Sequence, residues 1–159
     1  MATEFLDSEA DSPGYVRRPV AGLRLRALPS CGQPEFPVEH PYFELVYGPV
    51  IGPSAFMVAR NLGRRLRAAE GLVTACPIEV ARETGLRASH GEPVGRKSQL
   101  VKTIARLQRH QLVRPDVDGV LGVVVAVPPI PTRWLDQIPA TALAAHQEFL
   151  APTSSDGGH

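Results

Sequence analysis

Between residues 98 and 127 a helical repeat gives way directly to a strand pattern. This switch narrows the folds open to the chain more than any other feature. In "SQLVKTIARLQRH", Leu100, Ile104 and Leu107 fall at i, i+4 and i+7, one apolar stripe of a helix spanning 98–110. About 180° away lie Lys102, Arg106 and Arg109, with Ser98 and Gln99 in the first turn. "LVRPDVDGVLGVVVAV" then offers two short β-like runs joined by "PDVDG", which predicts a hairpin over about 112–127 with Asp-Gly at its turn. A one-sided basic helix running straight into a hairpin calls for an α+β domain.

The segments before this helix fit the same scheme. "AFMVARNLGRRLRAAE" places Ala55, Ala59, Leu62, Leu66 and Ala69 on one stripe and Arg60, Arg64 and Arg67 on the other side. A helix over 54–69 with Ser54 as N-cap follows. Pro77 suits the first turn of a second helix over 77–84, which stops at Gly85 and turns Ile78, Val80 and Ala81 inward. Upstream, Phe43, Leu45 and Tyr47 alternate with Glu44 and Val46, which reads as a short strand, with a brief helical turn as the alternative.

Residues 1–36 are rich in Pro, Gly, Ser and charge and show no sustained period. They read as a flexible arm with a short extended piece at 23–28, and the ordered domain is expected to begin near Pro37. The domain is drawn over 37–130, a helical extension over 131–150 and a disordered tail over 151–159. Trp134, Leu135, Leu143, Phe149 and Leu150 form either a cap on the core or a homodimer face.

The segments "PIEVARETGL", "GRKSQLVKTIARLQRHQLV" and "VRPDVDGVLGVVVAV" follow one another as supporting helix, basic helix and hairpin. In this order they resemble the winged helix-turn-helix superfamily, over roughly half of the chain. "GPSA…LGRRL…GRKSQLVKTIARLQRHQLV" looks like small actinobacterial and phage-type members of it. The resemblance implies binding to double-stranded DNA, most often in transcriptional control, with the basic helix in the major groove. Base edges would then meet Ser98, Gln99, Lys102 and Thr103 in its first turns. Arg96 and Lys97, just before the helix, would grip phosphate, and Arg106 and Arg109 the flanking backbone. Two features depart from the pattern: the loop over 86–95 is long for a helix-turn-helix, and the wing carries Asp116 and Asp118 against Arg114 alone.

Charge distribution supports an anion-facing middle. From 60 to 114 there are 12 Lys and Arg against 4 Asp and Glu, whereas 1–59 has 4 against 7 and 115–159 has 1 against 5. Cys31 and Cys76 stand apart, and His40, His90, His110 and His146 form no pair at ligand spacing, so neither a metal nor another cofactor is expected. Ser54 in "GPSAF" is not a nucleophile elbow, "GLRASHGEPVG" is not a phosphate-binding fingerprint, and no acid/base pair stands out, so the chain is not read as an enzyme. The acidic start is unlike a secretory signal, and "VLGVVVAVPPIP" is too short to span a membrane, which points to the cytoplasm. Two rivals stay beside the regulator: a winged-helix module that binds a protein partner, and a DNA-binding accessory factor of replication or recombination.

Overall fold

The computed structural model describes residues 22–29, 32–87 and 98–152. Its first element corrects the expected domain boundary. The piece at 23–28 is indeed extended: strand β1, Leu23–Ala27, turns Leu23 and Leu25 into the core and Arg24 and Arg26 outward. It is, however, no arm. It lies inside a four-stranded sheet of order β3-β1-β5-β4, antiparallel to β3 (Val73–Ala75) and parallel to β5 (Leu121–Val123). Leu25 faces Val73 on one side and Leu121 on the other. Five alternating residues are too few to raise a periodic signal amid prolines. Two leucines still suffice to bury one face of a strand whose hydrogen bonds come from distant partners.

A second correction concerns the expected strand around Phe43. The chain is helical there, with a π-helical turn at Phe43–Tyr47 continuing into the short helix α1, Gly48–Ile51. Phe43, Val46 and Tyr47 are buried while Leu45 is exposed, so the working spacing is i, i+3, i+4 rather than i, i+2. Gly52, with φ 86°, breaks the helix, and Pro53 starts the next one. Helix α2, Pro53–Arg67, agrees with the expected 54–69 within two residues, but its N-cap is Gly52 rather than Ser54. Pro53 needs no hydrogen-bond partner at that position and is preset for helical φ. Ala55, Ala59, Leu62 and Leu66 form the buried stripe, joined by Val58. Gly63 belongs to it as well, since a Cβ there would lie 2.5 Å from Val38 Cγ2.

Val73–Ala75 forms β3, and helix α3, Pro77–Glu83, follows at once. Helix α4, Gln99–Arg109, begins at Ser98, whose Oγ accepts the Val101 N–H at 3.2 Å. β4, Val113–Pro115, and β5 make the antiparallel hairpin, with Val113 opposite Val123 and Pro115 opposite Leu121. Asp118 and Gly119 take positive φ in the connection, a conformation that Asp tolerates and Gly adopts freely. The hairpin ends at Val123, short of the expected 127. Residues Ala126–Val127 are instead β6, paired with β2, Phe36–Pro37, in a separate two-stranded sheet.

A 3-10 turn at Thr132–Gln137 leads to helix α5, Ala140–Leu150. Residues 131–150 share the core of the rest: Ile138 and Ala142 are buried, and Trp134, Leu135, Leu143 and Phe149 pack against that core. Leu150 is exposed. Much of the attachment runs through Tyr42, which is fully buried and stacks on Phe36 at 4.0 Å. Its hydroxyl accepts the Ile130 N–H at 2.9 Å and lies 2.8 Å from His146 Nδ1. Burial raises the phenol's pKa, partly offset by the Ile130 amide, so the hydroxyl keeps its proton.

Because β1 is a central strand, Leu25→Ala is expected to lower stability by about 2–4 kcal/mol, the usual cost of a core cavity. Denaturant midpoints of the two proteins measure it. A midpoint like the parent's would return β1 to the status of an arm.

Candidate nucleic-acid interface

Helix α4 is divided lengthwise. Leu100, Val101, Ile104 and Leu107 are buried, packed chiefly against α2, and Gln99, Lys102, Arg106 and Arg109 are exposed. The helix carries no acid, and among the described residues its three cations form no ion pair. Several arginines elsewhere are engaged. On α2, Arg65 donates to Glu83 Oε2 at 2.9 Å and to Asn61 Oδ1 at 2.9 Å, Arg67 lies 3.5 Å from Glu39, and Arg60 sits over the Phe56 ring. Asn61 also donates to Glu83, and these bonds together with the Arg65 charge hold the Glu83 carboxyl below its usual range.

Not every residue expected to read bases is placed to do so. Thr103 is buried, and its hydroxyl donates to the Gln99 carbonyl at 2.6 Å. Its β-branched side chain completes the inner face and satisfies its own polar group one turn back. Ser98 is half-buried and its Oγ is occupied as the helix cap. Gln99 is exposed, but its Oε1 accepts the Arg87 N–H at 3.2 Å, tying the start of α4 to the residues after α3. The Arg106 guanidinium leans on Gly52, where an added Cβ would meet it at 3.4 Å. Lys102 and Arg109 are exposed as expected. Arg96 and Lys97, and most of the loop over 86–95, lie outside the described residues.

Two further arginines, on β1, belong beside the hairpin. Arg26 Nη1 reaches Asp116 Oδ2 at 3.0 Å, and Arg24 Nη1 donates to the Asp118 carbonyl at 2.9 Å. The alternation in "LRLRA" was the available signal, because it sets both arginines on one strand face.

At its far end α4 meets the C-terminal segment. The His110 ring stands edge-on to Trp134 at 5.3 Å, and the Arg133 guanidinium lies over the same indole. Burial, then the charges of Arg106 and Arg109, lower the His110 pKa. Comparison with protein-family models, with curated proteins and with solved structures found no match. No helix among the described residues is long and apolar enough to cross a membrane.

The His110 shift fixes the sign of a pH effect. The fold favours the neutral ring, so its contribution is complete above the unfolded pKa of about 6.5 and is lost as pH falls from there toward the folded value. His110→Gln should flatten this part of the curve. Urea midpoints between pH 7.5 and 5 for both proteins test it, and parallel curves would show that the ring is not desolvated.

Proposed function

We propose that the chain is a double-stranded DNA-binding protein of winged helix-turn-helix type, with α4 in the major groove and the β4–β5 hairpin as its wing. On this reading it works in the cytoplasm as a transcriptional regulator. The observation that carries the proposal is the division of α4: an apolar face locked into the core and an opposite face bearing Lys102, Arg106 and Arg109 without an acid on the helix. The order α2, β3, α3, α4, hairpin supports it. A helix held from behind by its core presents its outer side chains rigidly, as groove reading demands.

The roles along α4 are narrower than the sequence suggested. Lys102 and Gln99 remain for base edges, with the Gln99 carbonyl oxygen already committed to Arg87. Arg109 is the clearest phosphate contact, and Arg106 reaches phosphate only by leaving Gly52.

Arg109→Ala should weaken binding to all duplexes alike and lower the slope of log affinity against log salt by about one unit, through loss of one counterion-releasing contact. Lys102→Ala should instead cost about 1–3 kcal/mol on sequences selected from a random pool and less on unselected DNA. Titrations at several salt concentrations measure both. If the parent protein selects no sequence and shifts no duplex, the proposal fails and a protein-binding module takes its place.

A further inference from the structure

The hairpin tip places acids where a duplex-facing wing should have none: Asp116 and Asp118 flank the exposed Val117. Left bare, each would repel phosphate. Neither end of the tip is left to itself, because β1 lies beside β5 in the same sheet. Asp116 uses both carboxylate oxygens: Oδ1 accepts the Val117 N–H at 2.8 Å, and Oδ2 takes Arg26 Nη1 at 3.0 Å. Arg24 Nη1 donates to the carbonyl of Asp118, the residue held at φ 59°. Register puts Arg26 and Arg114 opposite Gly122 from its two sides, so both stand on the outer face of the sheet. That face therefore carries three arginines beside the tip, of which Arg26 pairs with the Asp116 carboxylate and Arg24 with the Asp118 backbone.

We propose that Arg26, with Arg24, is a positioning residue for duplex binding: the N-terminal strand neutralises Asp116 and braces the turn at Asp118, so that the hairpin approaches the phosphate backbone with less repulsion. This rests on the DNA-binding reading of α4. Arg26 acts through Asp116 rather than by touching DNA itself. Its removal uncovers one carboxylate at the tip, and the harm depends on that carboxylate being present.

The test is titration of the full chain against a fluorescent duplex of random sequence at low and high salt, after thermal melts confirm folding. Arg26→Gln should bind about three- to tenfold more weakly at low salt, with the gap closing as salt screens the exposed charge. Asp116→Asn alone should bind at least as tightly as the parent, since Asn keeps an oxygen for the Val117 N–H. The double variant Arg26→Gln with Asp116→Asn should return to within about twofold of Asp116→Asn, the limit of simple additivity. A double variant as weak as Arg26→Gln would mean that Arg26 contacts phosphate directly, and would overturn the proposal. So would an Asp116→Asn protein weaker than the parent, an arm that holds even if Arg26→Gln fails to fold. Unchanged binding by Arg26→Gln overturns this inference and leaves the role of α4 standing. A parent protein that binds no duplex removes both.

Discussion

The insertion of Leu23–Ala27 between β3 and β5 is the interaction on which the remaining architecture rests. Without it those two strands have no common partner, because the sheet order is β3-β1-β5-β4. Leu23 and Leu25 also enter the buried core, and β1 packs against α2. Helix α2 in turn supports α3 and α4. The attitude of the basic helix is thus set, through α2, by a strand at the far end of the sequence.

A second node works at the opposite pole. Tyr42 gathers Phe36, Ile130, His146 and Phe149 around one buried ring. Its backbone N–H donates to His40 Nδ1 at 3.0 Å, so the next turn upstream is held as well. A buried hydroxyl that accepts one amide N–H and also pairs with an imidazole nitrogen is satisfied, which lets a polar group sit at the centre of an apolar cluster. This is why 131–150 is a part of the domain and not an appendage to it. It also carries Trp134 to the end of α4, where the indole shields His110.

What the sequence made legible was whatever repeats over three turns or is punctuated by Pro, Gly or Asp-Gly. The stripes of α2 and α4, the Pro77 start and Gly85 stop of α3, and the Asp-Gly turn of the hairpin all follow from local spacing, and their bounds agree with the structure within a few residues. Short elements were illegible for the opposite reason. Leu23–Ala27 has two inward residues, and its identity as a strand lies in partners from other parts of the chain. Phe43 and Tyr47 fit both an alternation and a helical turn, and only Val46, buried between them, separates the two. At the candidate site the exposed cations were readable from helical phase. Thr103 was not, because it is buried and its hydroxyl is spent on the Gln99 backbone carbonyl, a choice that helix spacing does not reveal.

The central position of β1 bears on how the protein is made. Leu25 is translated 96 residues before its parallel neighbour Leu121. The sheet therefore closes only after Leu121 has been made, and until then β1 has β3 alone to pair with. A topology of this kind commits late and depends on contacts distant in sequence, which slows folding and leaves the nascent chain open to chaperones. A chain halted before Leu121 would carry all of α4 yet lack the strand that β1 pairs with in parallel, so its sheet would stay open on that side.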